Sequence, residues 1–290
     1  MKNLLCFFAA ALLLVSCKNA PLELTVMTFN LRYDTPYDSL NAWQYRKDAA
    51  AQTILNENAD IIGTQEVLIN QLNDLQNRLP DYAFIGVGRE DGKEAGEFSA
   101  IFYRKTRFDM LENGTFWLSE TPEKPGSMGW DAACERVATW GIFADKASKR
   151  RFLAMNTHLD HIGVTAREES LKLIMHRIDS LHRGLPVILT GDLNITPDNP
   201  AIKNVTDKSN KLYLIHTKDI AENRSGKSGT FHDYGKIPDA EREFIDYIFV
   251  DKSFKVLSHS VIAEQIDGVY SSDHSAVVAK VSSSSSSAGE

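Results

Sequence analysis

Pro186-Val187-Ile188-Leu189-Thr190-Gly191-Asp192-Leu193-Asn194 is an apolar run that stops abruptly on an acid and an amide. A run this short, bounded by Pro and Gly and rich in branched residues, reads as a buried strand. The stretch before it reads as a helix over 166–183. Thr165 and Glu168 have the spacing of a capping box, Leu171, Ile174, Ile178 and Leu181 fall on one face, and Gly184 is a natural stop. A helix feeding a buried strand is the unit from which sheets covered by helices are built, so the expected class is α/β.

The alternation continues in both directions. From Leu22 a strand rich in β-formers ends at Asn30-Leu31-Arg32, a helix covers Trp43 to Asn58, and Ala59 to Thr64 is a short apolar run ending in Gln65-Glu66. Further runs are Phe98 to Arg104, Val137 to Ala144, Arg151 to Thr157 leading into His158, Phe244 to Val250, a hairpin-like Phe254 to Ile262, and Ser275 to Val281. No period of repeat length recurs, which excludes a solenoid or propeller.

Polar residues gather just beyond the strands in six places: Asn30, Gln65-Glu66, Asn156-Thr157-His158, Gly191-Asp192-Leu193-Asn194, Asp246 and Ser272-Asp273-His274. Ligands of α/β sheets collect outside strand ends, so these groups can converge on one pocket. Any one of them alone is an ordinary turn residue or cap. Carboxylate and amide oxygens from Asn30, Glu66, Asp192, Asn194 and Asp273 suit a hard ion, Mg²⁺ or Mn²⁺. Zinc fits poorly, because His158 and His161 leave a strand and no helical His-Glu-x-x-His is present. Histidines beside carboxylates supply proton transfer near neutral pH.

The segments Thr28-Phe29-Asn30-Leu31-Arg32, Gln65-Glu66-Val67, Asn156-Thr157-His158, Gly191-Asp192-Leu193-Asn194, Ile245-Asp246-Tyr247-Ile248 and Ser272-Asp273-His274, in that order, resemble the endonuclease/exonuclease/phosphatase superfamily. The resemblance implies a four-layer sandwich, two mixed β-sheets packed face to face with helices on the outer faces, and metal-dependent hydrolysis of a phosphate ester. It makes Glu66 the main metal ligand with Asp273 and Asn30 close by. It makes Asp192 the group that orients or activates water, and gives Asn194 and Asn30 contact with the phosphate. His274 becomes the base or transition-state donor, held by Asp246. His158 faces the scissile phosphate too, with Glu97, seven residues before Arg104, behind it. A carboxylate behind each imidazole would fix its tautomer and raise its pKa. Arg136 is a further candidate phosphate contact.

Two departures bear on substrate. Leu68 stands where the pancreatic-nuclease branch carries a basic residue, which argues against duplex DNA, and Glu243-Phe244-Ile245-Asp246-Tyr247 lacks the inositol-polyphosphate phosphatase signature. Ala221 to Ser228 matches a relaxed P-loop, but Gly229, Gly235 and Pro238 forbid the helix such a loop needs, so a loop beside the active site is expected there. Phe116-Trp117-Leu118 and Trp130 could stack a base, with core packing the better reading.

The chain has 290 residues, 43% hydrophobic and 24% charged, with net charge −7. That composition excludes disorder of the bulk, and the acidic balance disfavours tight non-specific nucleic-acid binding. Residues 1–16 read as a signal peptide, too short to span a bilayer. Leu14-Val15-Ser16-Cys17 resembles a bacterial lipobox, implying lipidation of Cys17, a linker over 17–21, and an exported protein held at the cell-envelope membrane. Cys134 is then left alone, so the fold rests on its core. The catalytic domain is placed at 22–281 and a flexible Ser-rich tail at 282–290; a monomer is expected. Nuclease action ranks first among phosphate-ester substrates. Nucleotide or sugar phosphatase and phospholipid or sphingomyelin phosphodiesterase are the alternatives, and a non-catalytic surface binder on the same scaffold is the rival class.

Overall fold

The computed structural model describes residues 21–283. The expected signal peptide and Cys17 lie outside them. Strands in chain order are β1 (Leu22–Asn30), β2 (Ile61–Gln65), β3 (Tyr82–Ile85), β4 (Ile101–Arg104), β5 (Phe108–Trp117), β6 (Val137–Asp145), β7 (Arg151–His158) and β8 (Val187–Asp192). They continue as β9 (Ile215–His216), β10 (Asn223–Gly226), β11 (Asp246–Val250), β12 (Phe254–Val261), β13 (Gln265–Ile266), β14 (Val269–Tyr270) and β15 (Val277–Ser283). The long helices are α1 (Trp43–Glu57), α2 (Ile69–Arg78) and α3 (Val164–Leu181).

One sheet runs β10-β12-β15-β1-β2-β4-β3 and the other β5-β6-β7-β8-β11-β9, with β13-β14 a small separate ribbon. Both large sheets are mixed: β1 and β2 are parallel, as are β7 and β8, while β1 pairs antiparallel with β15 and β8 with β11. The expected sandwich is what the chain forms. Period-two alternation along β1 explains the layering, since Leu24 and Val26 enter the core shared with the second sheet and α3, whereas Met27 and Phe29 enter the one under α1 and α2.

Four local expectations are corrected. Helix α3 starts at Val164 and is not capped by Thr165 and Glu168; Asp131 accepts from the backbone N–H of Ala166 at 2.6 Å and of Thr165 at 3.2 Å. Phe254–Val261 is one strand with an irregularity between Val256 and Ser258, because it is held on both sides, by β10 and β15. The P-loop look-alike forms edge strand β10, parallel to β12, and lines no part of the site described below. Strand β15 runs on to Ser283, two residues into the stretch expected as tail, since backbone pairing with Leu22 and Glu23 asks nothing of the serine side chains. Phe116, Trp117 and Leu118 are core residues.

A polar seam joins the two sheets. Asn156 Nδ2 donates to the carbonyls of Thr64 and Ala100, each at 2.9 Å, and Asn156 Oδ1 accepts from Gln65 Nε2 at 2.7 Å and Thr190 Oγ1 at 3.0 Å. Gly63 permits this approach, because a Cβ there would lie 2.1 Å from Thr190 Oγ1 and 2.4 Å from Asn156 Oδ1. Buried amides satisfied this fully fix the register of one sheet on the other.

Candidate active site

The strands carrying the expected motifs end on the same side of the sandwich, around a cavity of about 710 Å³. The chain turns sharply where each apolar run stops. Arg32, Glu66 and Asn194, which follow β1, β2 and β8, all adopt left-handed backbone conformations, with φ of 51°, 63° and 51°. Such conformations are unfavourable for residues with a Cβ and persist where the surroundings dictate them. Their effect here is to aim three polar side chains into one space.

Asp192 stands at the centre. Its Oδ2 accepts from Asn30 Nδ2 at 2.9 Å and lies 3.6 Å from His158 Nε2 and 3.9 Å from His274 Nε2; its Oδ1 accepts from the Asn194 N–H at 2.9 Å. Burial, reinforced by nearby Asp246, raises its pKa to about 7. His274 Nδ1 lies 2.9 Å from Asp246 Oδ2, as expected. Burial opposes charge on that imidazole, but Asp246, with Asp192 and Asp273 beyond it, outweighs burial and lifts its pKa to about 10. Thr230 holds Asp246 in turn, its Oγ1 accepting from the N–H groups of Ile245 and Asp246.

His158 is built differently from the expectation. Its Nδ1 faces Arg136 Nη1 at 2.8 Å, while the Glu97 carboxylate is 4.0 Å from that nitrogen. Glu97 accepts instead from Arg89 at 2.7 Å and lies 3.8 Å from Arg136. Burial, then the Arg136 and Arg89 charges, push the His158 pKa well below its ordinary value, so this imidazole is neutral. The Glu97 pKa is raised by burial and by Glu66. Arg136 also reaches His161 Nδ1 at 3.2 Å, and its buried Nε, 3.8 Å from Asp160, like that of Arg89 makes no hydrogen bond among the described residues.

Glu66 and Asp273 face the cavity with the Arg32 guanidinium 3.9 and 3.8 Å away. Asn30 is fully buried behind them. It donates to Glu66 Oε1 and Asp192 Oδ2, each at 2.9 Å, while its oxygen accepts from the Arg32 N–H. With its amide nitrogen turned to the carboxylates it orients them, while its oxygen takes the Arg32 N–H. Five carboxylates, Glu66, Glu97, Asp192, Glu243 and Asp273, line a cavity whose cationic groups are three arginines and the His274 imidazolium. Asp273 has its pKa raised by burial, with Glu66 adding to it. A hard divalent ion fits that oxygen-rich, charge-deficient edge, where Glu66 and Asp273 are the carboxylates able to hold one. A further grouping places ligand atoms of Asp192, Asp246 and His274 within 4.8 Å of one another, but Asp246 is spent on the imidazole.

Sequence reasoning passed over several contributors. Arg89 comes from the loop between β3 and β4, and Glu243, Phe231 and His161 also line the cavity. Arg46 is buried in α1 and donates to the carbonyls of Leu31, Arg32, Asn41 and Ser271, tying the loop after β1 to the segment before Asp273. The available signal was a basic residue inside the apolar face of a helix, three residues from Trp43.

The sequence profile of the Endonuclease/Exonuclease/phosphatase family matches residues 27–274. The chain belongs to that family. Members are phosphoesterase hydrolases dependent on a divalent metal, and the chain is accordingly such an enzyme. A family structure from Bacteroides vulgatus is 44% identical, with a TM-score of 0.86 over 90% of this chain and 98% of that one. A mannosyl-6-phosphatase from Bacteroides thetaiotaomicron is 39% identical, with a TM-score of 0.82 over 89% of this chain and 99% of that one. An uncharacterized protein of Acanthamoeba polyphaga mimivirus is 27% identical over 233 residues, 75% of this chain and 83% of that protein.

Proposed function

We propose that the chain is an exported, lipid-anchored, Mg²⁺-dependent phosphatase that releases the terminal phosphate of a sugar or a similarly small hydroxylated molecule. The observation that carries this reading is the placement of Arg32, Arg89 and Arg136 around one cavity with the His274 imidazolium. A terminal phosphate carries close to two negative charges against one for a diester, and this many cations suit the former. A cavity of about 710 Å³ suits a small ligand better than a duplex, and Leu68 offers DNA no charge. Likeness to the mannosyl-6-phosphatase over nearly its whole length favours the same substrate class. Nucleic acid, placed first on sequence alone, is therefore placed second.

A bound Mg²⁺ would polarise a phosphoryl oxygen and withdraw charge from the departing one. Glu66 and Asp273 hold it. Asp192, its pKa near neutrality, accepts the proton of the attacking water. His274, protonated and backed by Asp246, donates to a phosphoryl oxygen as charge builds there. His158 and Asn194 fix the phosphate from the opposite wall, and Arg136 keeps His158 in one tautomer. The lipobox at Leu14 to Cys17 supports export and anchoring.

The test is phosphate release by the full chain with Mg²⁺ from a hexose phosphate, set beside a supercoiled plasmid and a single-stranded oligonucleotide. Preferred release from the sugar phosphate is expected. Efficient nicking of the plasmid with the sugar phosphate untouched would return nuclease to first place.

A further inference from the structure

A second cavity, of about 550 Å³, adjoins the first. It shares Arg32, Phe231 and Asp273 with the catalytic cavity and none of His158, Asp192 or Asn194. Its walls are two short segments far apart in sequence, Tyr37 to Asn41 after β1 and Asp233 to Lys236 before β11. We propose that it is the leaving-group subsite, and that it takes an uncharged, hydroxyl-rich group such as a sugar ring. The proposal rests on the phosphatase reading above and adds where the organic part of the substrate sits.

Position is the first argument. In-line displacement puts the attacking water and the departing oxygen on opposite sides of phosphorus. Asp192 and Asn194 occupy the water side. The second cavity meets the first at Asp273, Arg32 and Phe231 and includes neither Asp192 nor Asn194, so it offers room to the departing oxygen and whatever it carries away from the residues assigned to the water.

Charge is the second. The cations at this cavity are already matched: Arg32 donates to both oxygens of Asp38 at 3.1 Å, and Lys236 reaches Asp233 at 3.0 and 3.2 Å. No unpaired cation is left to select a second phosphate, and the one acid outside these two pairs, Asp273, belongs to the proposed metal edge of the first cavity, so a neutral ligand fits.

Free bonding capacity is the third. Among the described residues the Tyr37 phenol, Ser39 hydroxyl and Asn41 side-chain amide make no hydrogen bond, and Tyr37 is 92% exposed, an unusual state for so large an aromatic. An open aromatic face beside several unspent donors and acceptors matches a sugar, which has one C–H face and a rim of hydroxyls. The walls are also held in shape: Ser39, Asp233 and Tyr234 have φ of 52°, 44° and 51° without being glycine. Tyr234 Oη donates to Asp38 at 3.2 Å, closing a network from one wall through Arg32 to the catalytic carboxylates.

The test compares a hexose phosphate with methyl phosphate, whose leaving group is too small to fill the cavity, in the full chain and in Tyr37→Ala and Asn41→Ala. Tyr37 is exposed and Asn41 half-buried, and melting curves confirm that the variants fold. The expected result is a wild type that prefers the hexose phosphate and variants in which that preference, as a ratio of kcat/KM values, falls about tenfold, mainly through KM. Variants that keep the wild-type preference would overturn the subsite while leaving the phosphatase reading intact. A wild type without preference for the hexose phosphate would overturn the sugar reading itself, and this assignment with it.

Discussion

The guanidinium of Arg136 lies 2.8 Å from Nδ1 of His158, inside the 4.0 Å that separates the same nitrogen from Glu97. A guanidinium only donates, so Nδ1 accepts, and Nε2 faces the Asn194 amide at 3.0 Å and Asp192 Oδ2 at 3.6 Å. At His274 the group behind Nδ1 is a carboxylate, and the ring is protonated. Two histidines with similar sequence surroundings are thus divided into a neutral and a cationic partner by what stands behind each.

Removal of the guanidinium should therefore cost more than removal of the carboxylate charge. Arg136→Ala is expected to lower kcat/KM about 10²-fold or more, as loss of a positioned donor does. Glu97→Gln, which keeps shape and can still contact Arg89, should cost less than about tenfold. Steady-state kinetics on one phosphate monoester read both, and equal losses would restore Glu97 as the direct partner of His158.

Asp246→Asn preserves the shape behind His274 and removes the charge that protonates it. A loss of about 10²- to 10⁴-fold in kcat is expected, with an unaltered circular dichroism spectrum, by analogy with other carboxylate-backed histidines. Activity within threefold of wild type would show that His274 works without its imidazolium.

Chelation should abolish turnover, and Mg²⁺ or Mn²⁺ should restore it. In Glu66→Gln and Asp273→Asn the metal concentration giving half-maximal activity should rise about tenfold or more, and the metal-induced gain in melting temperature should shrink. An Asn30→Ala variant should instead lower kcat at an ordinary metal requirement, because its amide orients carboxylates.

Acid should destabilise the fold through three buried histidines, His216 and His259 away from the site and His232 beside it. Burial lowers the pKa of His216 to about 3 and of His259 and His232 to about 4, and each keeps a buried Nε2 with no partner. In this case the folded pKa lies below the unfolded value near 6.5, so the unfolded chain binds more protons between the two. Stability is then full above about 6.5 and falls as pH drops toward 4, by at most about 1.4 kcal/mol per pH unit for each histidine. Melting temperatures measured from pH 7 to 4 should show this slope, and His216→Phe combined with His259→Asn should flatten it.

Asn156→Ala should loosen the seam between the sheets. Four buried partners lose their amide, and a destabilisation of about 2–4 kcal/mol is expected from the denaturation midpoint. A loss under 1 kcal/mol would mean that other contacts hold the sheets in register.

Much of the catalytic side was legible because its chemistry sits where apolar runs stop. Glu66, Asp192, Asn194 and Asp273 each follow or precede a run that could only be a strand, and topology brings those ends together. Side-chain direction was not legible. Gln65 and Glu66 are adjacent, yet the first turns into the seam and the second into the cavity, and the left-handed backbone at Glu66 that causes this leaves no mark on residue type. Arg89 and Arg46 were hidden for another reason: one lies on a loop and the other on a helix, so neither stands at a strand end. The cap of α3 comes from Asp131, more than thirty residues before the helix, and no local pattern could point to it.

Asp273 and His274 immediately precede β15, which fits between β1 and β12. The first strand of the domain therefore waits for the last as its neighbour, a pairing of the most distant kind. A chain interrupted between Asp192 and Asp273 possesses the Glu66 and Asp192 halves of the site but neither the second acid nor the imidazolium. Hydrolytic competence arrives only once β15 has been made and paired, so shorter fragments of this hydrolase are inert by construction of the fold.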